Sequence, residues 1–354
     1  MEIGVNWRLI GLKATVVRQY LKEKELMFVS YSQSSGQTLS LTNGLFVMRV
    51  KDIYFQKRMR IYKREWDSKR TKMRILITGS EGKIGKELIK IMFGHELLLV
   101  DKKGGESVKC DLSIDDLDFI EEFKPEIIIH LAASFERTDE SPIFHRINYA
   151  DNIKATYRLN SLISSLTYSP YQYIYASSYL VYEPVYLSEK QRFISLMLGE
   201  DSLISPRNLI GAAKLYGENE IDFIKRNVHK EMKVTHARIF RVFGEGGQEF
   251  VSRVIEWARL GIPIDIWKPE NRFDFIHTSD CASAIRTLIG QEGIYNIGSG
   301  QNTAIEEIIG LVRPKIRAID KDDLFESSCA DIRKIQELGW EPKVNVLEWV
   351  KGKL

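Results

Sequence analysis

Cysteine is scarce in this 354-residue chain: Cys110, Cys281 and Cys329 are an odd number at long spacings. That pattern argues against a disulfide framework and a cysteine-based zinc site, and it fits a reducing, cytoplasmic setting. The six histidines show no paired spacing, so no metal is expected. No uninterrupted apolar run approaches the roughly 18–20 residues of a membrane-spanning helix, and the N-terminus lacks the charged-then-apolar pattern of a secretory signal. Membrane insertion is not expected. Internal repeats and low-complexity linkers are missing too, which leaves one large α/β domain or two smaller ones.

Charge is unevenly distributed. Residues 1–72 carry 15 Lys/Arg against 6 Asp/Glu, whereas residues 73–354 carry 36 against 42. The basic stretch from Gln56 to Lys72 reads as a solvated extension. Unspecific attraction to nucleic acid is the lesser reading, so no nucleic-acid partner is expected. Met73, directly before the first strand pattern, is a candidate start for the native protein, with 1–72 as an N-terminal extension outside its fold.

What is present begins at residue 74, where Arg-Ile-Leu-Ile-Thr-Gly-Ser-Glu-Gly-Lys-Ile-Gly joins an apolar run to glycines at 79, 82 and 85. Ile75 to Ile77 suits a buried parallel strand, and Ile84, Leu88, Ile91 and Met92 recur at a helical period. The glycines therefore sit on a strand-to-helix turn. There Gly79 permits the tight turn, Gly82 lets backbone approach a pyrophosphate, and Gly85 lets helix pack on strand. A second apolar run, Glu96 to Val100, ends in Asp101, 19 residues past the middle glycine. That spacing suits a carboxylate that takes the adenosine ribose hydroxyls and repels a 2′-phosphate, favouring NAD. Lys102 and Lys103 follow and soften the repulsion, which keeps NADP open as the alternative.

Strands and helices then alternate. Cys110-Asp-Leu112 closes a short segment, Ile114–Phe123 is amphipathic, Glu126–Ala133 reads as a buried strand, and a helical pattern runs from about Asn148 to Tyr168. Tyr171–Ala176 is the next strand, ending in Ser177-Ser178. This alternation predicts a Rossmann-type, doubly wound parallel sheet over 73–240. Residues 241–354, with the 183–205 loop, are expected to form mainly a smaller substrate-binding lobe.

In order and spacing these segments resemble the extended short-chain dehydrogenase/reductases, in particular NAD-dependent nucleotide-sugar epimerases and dehydratases of the UDP-glucose 4-epimerase kind. The landmarks are Thr78–Gly85, Asp101, Cys110–Leu112, His130–Ala133, Asp151–Thr156, Ser177–Tyr182, Arg238–Gly244, Phe273–His277, Tyr295–Gly298 and Leu338–Pro342. The resemblance implies NAD contacts from Gly79, Gly82, Lys83, Ile84, Gly85, Asp101, Asp111, Leu112, Leu131, Ala132, Ala133, Asn152 and Lys214. It implies a nucleotide-diphosphate sugar as substrate, and a homodimer through helices near 148–168 and 208–227.

The family's chemistry uses a Ser/Thr, and a Tyr four residues before a Lys on one helix face, where the phenol takes a proton as hydride passes to the nicotinamide. Ser178 and Lys214 match the first and last, but Ile210 occupies the usual Tyr position and Ala213 replaces a neighbouring serine. Tyr179 is the candidate substitute, with aromatic packing as its plainer role. Tyr186 and Lys190 fit the bare pattern in a poor context, and Tyr216 lies on the wrong helix face. Among substrate-side cations, Arg241 stands where Asn is common, Arg272 is one residue early, and Lys321 lies where a second phosphate-binding Arg is often found. His130 and His277 read as structural. Two functions follow as expectations: an epimerase-like enzyme, or a catalytically lapsed homologue that binds NAD and a nucleotide sugar as a sensor or oligomer scaffold.

Overall fold

The apolar run after Arg74 shows no alternation because both of its faces are covered. Strand β1 (Arg74–Thr78) lies inside a sheet with Ile75, Leu76 and Ile77 fully buried, as parallel strands flanked by helices require. The computed structural model describes residues 72–135, 141–191, 196–247, 249–320 and 324–354. The basic extension (apart from Lys72) and Lys321 lie outside these residues.

After β1 come α1 (Lys83–Ile91), β2 (Glu96–Asp101), β3 (Val108–Lys109), α2 (Asp118–Phe123) and β4 (Ile127–His130). A helical stretch runs through α3 (Pro142–Asn148), a π segment (Tyr149–Lys154) and α4 (Ala155–Ser165) into β5 (Gln172–Ser178). Beyond β6 (Tyr186–Ser188) and β7 (Met197–Leu198), the long helix α5 (Leu209–Asn227) leads to β8 (Lys233–Ile239). Then follow β9 (Arg241–Phe243), α6 (Phe250–Leu260), β10 (Ile264–Trp267), β11 (Arg272–His277), α7 (Thr278–Thr287) and β12 (Gly293–Ile297). The chain ends with β13 (Asn302–Ala304), α8 (Ile305–Val312), β14 (Ile316–Asp320), β15 (Leu324–Ala330) and two short helices.

Seven strands form one sheet in the order β12-β8-β5-β4-β1-β2-β3, and every pairing is parallel. This is the doubly wound architecture expected from the sequence. Side chains alternate between two cores: Ile75, Ile77 and Ile129 pack towards α1, and Leu76, Ile128, Tyr173 and Tyr175 pack on the other face with Leu159 and Ile221. The strand order reverses between β1 and β4, which opens a crevice past their carboxyl ends. Gly79 and Leu131 emerge there.

Two details differ from the sequence expectation. The helix expected over 148–168 starts earlier, at Pro142, where Ser141 Oγ accepts from Phe144 N at 3.0 Å, and it ends at Ser165. Its middle widens into the π segment. The lobe boundary near 241 is also crossed, because α7 packs on α1 and β12 pairs with β8. Only then does the chain return to the second sheet, β13-β11-β15-β6, with β9 alongside β11. Phe243, Phe273, Phe275 and Ile308 fill the lobe's own core.

Candidate active site

The glycine turn is shaped by contacts that no side chain fits. Gly79 sits at φ +73°, and a Cβ there would lie 2.6 Å from Ala132 N; one on Gly85 would lie 2.5 Å from Gly79 O. Gly82 is the N-cap of α1 and supplies no side-chain cap, so N–H groups of the first turn stay available to a ligand. A cavity of about 290 Å³ opens between this turn and Val242, Phe243, Gly244 and Thr278 across the crevice, with Leu131 and Ala176 on its walls. Three missing Cβ atoms, an uncapped helix start and a cavity fit a dinucleotide pyrophosphate.

Asp101 closes β2 beside the turn, its Oδ2 accepting from Glu81 N at 3.1 Å and its Oδ1 from Lys103 N at 2.9 Å. Lys102 is drawn away, into an ion pair with Asp151 at 2.5 Å. Asn152, in the π segment, uses its amide on the chain itself: Oδ1 accepts from Ser134 N at 2.8 Å and Nδ2 donates to Ser134 O at 2.9 Å. It therefore ties down the loop after β4. Asp111 likewise accepts from Ser113 N and Oγ, and Leu112 is a core residue.

The carboxyl end of β5 carries Ser178, the hydroxyl that the sequence offers as a candidate for the chemistry. Ser178 Oγ accepts from Leu180 N at 3.2 Å, capping a 3₁₀ turn over Tyr179–Val181, and it donates to no described residue. Its neighbour Ser177 is anchored below by Glu218, which is gripped by both Arg238 Nε at 3.0 Å and Nη2 at 2.7 Å. Breaking one partner of so buried a pair strands the other charge, which makes it a register pin for β5, α5 and β8.

Helix α5 approaches this turn closely because it has glycine where it touches. A Cβ on Gly211 would lie 2.2 Å from Leu180 O, and one on Gly217 would lie 2.4 Å from Tyr175 Oη. Asn208 caps the helix, its Oδ1 accepting from Gly211 N at 2.8 Å. Ile210, Lys214 and Gly217 then share one buried stripe. Lys214 Nζ stands 4.9 Å above the Tyr175 ring and donates to no described residue. Burial lowers its pKa to about 8, against the opposing pull of Glu218. Ile210 is 5% exposed and packs in the same core as Tyr179 and Leu180.

With this geometry in place, the comparisons are decisive: the profile of the NAD dependent epimerase/dehydratase family matches residues 75–298. The chain belongs to that family. It is 25% identical over 318 residues to a UDP-glucose 4-epimerase of Mycolicibacterium smegmatis, covering 78% of this chain and 96% of the relative. It is 25% identical over 305 residues to a dTDP-4-dehydro-6-deoxyglucose reductase of Escherichia coli, covering 76% and 93%. In fold it is similar to the Thermus thermophilus UDP-glucose 4-epimerase complex with NAD, with TM-score 0.67, 21% identity, and coverage of 79% and 97%.

Against the family's pattern, the tyrosines sort clearly. Tyr186 is exposed on β6, and Tyr216, also exposed, bonds to Glu220 on the outer side of α5. Tyr182 is fully buried and donates to Asn296 Oδ1 at 2.7 Å. Tyr179 stacks on Phe240 at 5.1 Å and is 5% exposed. Burial raises its pKa; Arg241 and Arg207 beside it pull the other way without prevailing. A free phenol poised as a base is not what surrounds it. Arg241 lies 3.5 Å from the Phe273 ring centroid, whereas Arg272 sits at the start of β11 in register with Ser327.

Both histidines are structural, as expected. His130 shares hydrogen bonds with Thr78 at 2.6 Å and Thr156 at 3.1 Å, and burial takes its pKa down to about 3. His277 caps α7 through Ser279. The sequence reading did not single out Thr278 and Gly244, which face the glycine turn, nor Arg207 and Glu326, which meet beside Tyr179.

Proposed function

We propose that this chain is an NAD-dependent enzyme of epimerase type acting on a nucleotide-diphosphate sugar. The observation that carries the reading is that the glycine turn, Asp101, Ser178 and Lys214 all lie at the carboxyl edge of one parallel sheet. When bound, NAD supplies the acceptor that takes a hydride from a sugar carbon and returns it. Gly79, Gly82, Gly85 and the first-turn N–H groups of α1 hold the pyrophosphate. Asp101 holds the adenosine ribose. Lys102 is paired with Asp151, which leaves Lys103 as the neighbouring cation to set against the Asp101 charge, and this supports NAD over NADP.

Ser178 donates its free O–H to the sugar oxygen as that hydroxyl is oxidised. Ile210 cannot carry the proton. Lys214 Nζ, with a pKa near 8, takes it in the neutral form and returns it to the sugar oxygen once hydride has come back. Tyr179 acts through Arg241, which it positions, and Arg272 and Lys321 serve the diphosphate. Exposed Tyr149 on the π segment, Tyr157 on α4 and Phe223 on α5 support a homodimer through these helices. Three free, buried thiols support a reducing, cytoplasmic setting, and no helix among the described residues is long and apolar enough to cross a membrane.

The test is to mix the purified full chain and NAD with UDP-, GDP- and dTDP-hexoses, following reduced nicotinamide by absorbance and epimer by NMR. One nucleotide series should give both signals. Lys214→Met should lower kcat at least about 100-fold, Tyr179→Phe should leave it within about threefold, and Ile210→Tyr should raise it. Neither reduction nor epimer with any sugar would overturn the reading.

A further inference from the structure

Three buried guanidinium nitrogens on the two arginines that flank the Tyr179 ring have no hydrogen-bond partner among the described residues. Arg207, just ahead of α5, directs Nη1 to the Glu326 carboxylate, but its Nε and Nη2 are buried with no hydrogen-bond partner among the described residues, and so is Arg241 Nε. The Arg207 side chain is 10% exposed. Its Cζ lies 5.0 Å from the centroid of the Tyr179 ring, and Arg241 Cζ lies 5.9 Å from that ring and 3.5 Å from the Phe273 ring. Aromatic rings cover the flat faces of a guanidinium and leave its in-plane N–H fork open. Buried unmade hydrogen bonds to a charged group are costly, and such groups call for a partner.

We infer that Arg207 and Arg241 form a carboxylate site, and that the substrate is therefore an acidic, uronate-type nucleotide sugar. This rests on the reading proposed above and narrows its substrate class. Three observations select a sugar carboxylate over the diphosphate. Ser178 pairs in register with Ile239, two residues before Arg241, and Tyr179 follows Ser178 directly, so the two arginines are tied to the carboxyl end of β5, where the reacting sugar hydroxyl is proposed to sit. For epimerisation at C4 the carboxyl of a hexuronate is borne by the adjacent ring carbon, whereas the diphosphate is attached across the ring. Glu326 neutralises Arg207 and also accepts from Ser328 Oγ at 2.7 Å, while Arg241 pairs with no carboxylate among the described residues. One uncompensated positive charge matches one carboxylate, and the planar fork matches its two oxygens. Arg241 as a residue is half-buried, although its Nε is covered.

The experiment is calorimetric titration of the NAD-saturated full chain with UDP-glucose, GDP-mannose and dTDP-glucose. UDP-glucuronate or GDP-mannuronate follows, matched to the nucleotide that binds, together with the free nucleoside diphosphate. The uronate should bind at least about tenfold tighter than the neutral sugar. Arg241→Asn should erase that preference while leaving the nucleoside diphosphate unchanged. Arg207→Gln strands Glu326, so Arg207→Gln combined with Glu326→Gln, checked for unchanged melting, is the second variant and should reduce the preference too. Equal binding of neutral and acidic sugars, untouched by either variant, overturns the carboxylate site and leaves the epimerase reading standing. Equal weakening of the diphosphate alone also overturns it, assigning the arginines to the diphosphate. If no nucleotide sugar binds at all, the broader reading falls with it.

Discussion

The proposed chemistry turns on Lys214, because Ile210 leaves it and Glu218 as the titratable groups of the buried helix stripe, and Glu218 is held by Arg238. Its folded pKa near 8 lies below the ordinary 10.5. As a proton acceptor it must be neutral, so kcat/KM is expected to rise with pH and level off above about 8. A lysine that only gripped the ribose as a cation would give the opposite slope, and a pH profile separates the two. Stability carries the same signature. Between about pH 8 and 10.5 the unfolded chain binds a proton that the folded chain does not, so stability is highest above that window and falls as pH drops through it. Replacing the buried amine by Lys214→Met should therefore stabilise the protein at pH 7, by up to about 3 kcal/mol, while abolishing turnover. Thermal melting at about pH 7 and pH 10, with the gain confined to the lower pH, checks it. Lys214 and Ser178 were legible through the family resemblance of the segments around them, whereas bare spacing pointed as readily to Tyr186 and Lys190. Arg207 gave no such signal, because what makes it notable is Glu326, 119 residues away.

At the scale of elements, the chain uses glycine for close approach in some places and merely tolerates it in others. Gly85, in the first turn of α1, faces backbone: an added Cβ would lie 2.5 Å from Gly79 O and 2.6 Å from Ser80 O, neither of which can swing aside. Gly310, inside α8, has nothing within 4 Å. Gly85→Ala is expected to cost about 1–3 kcal/mol and to remove NAD binding, whereas Gly310→Ala should add about 1 kcal/mol through helix propensity. Urea denaturation of both variants, with NAD titration of the first, decides it; a Gly85→Ala protein as stable as the parent would mean that the turn is looser than these contacts imply. The turn was legible in the sequence because its strand, glycines and helix are contiguous. The π segment was not. It depends on which carbonyl each N–H chooses and on Asn152 reaching Ser134, and residue type encodes neither in advance. The return of β12 to the main sheet was equally hidden, since a short apolar strand looks the same in either sheet.

For the whole molecule, the question is whether a second copy covers the outer faces of the π segment, α4 and α5. Tyr149, Tyr157, Tyr216 and Phe223 are 59%, 51%, 39% and 58% exposed. Tyr216 and Phe223 are seven residues apart on α5, which puts them on one stripe. The Tyr216 hydroxyl, raised to about 12 chiefly by burial, also feels Tyr157 and Tyr149, so these side chains form one patch. Exposed apolar patches mark association surfaces when they are large and contiguous, and this face is the one proposed for the homodimer. A two-fold interface buries each such residue twice, so one charged substitution introduces two charges at the same seam. Phe223→Glu should therefore convert a dimer into a monomer in sedimentation velocity while leaving the sheet, and with it NAD binding, intact. Phe223→Leu, which keeps the apolar surface, should remain dimeric. A parent chain that sediments as a monomer at every concentration would remove the interface, and with it the explanation for four large aromatic side chains left in water.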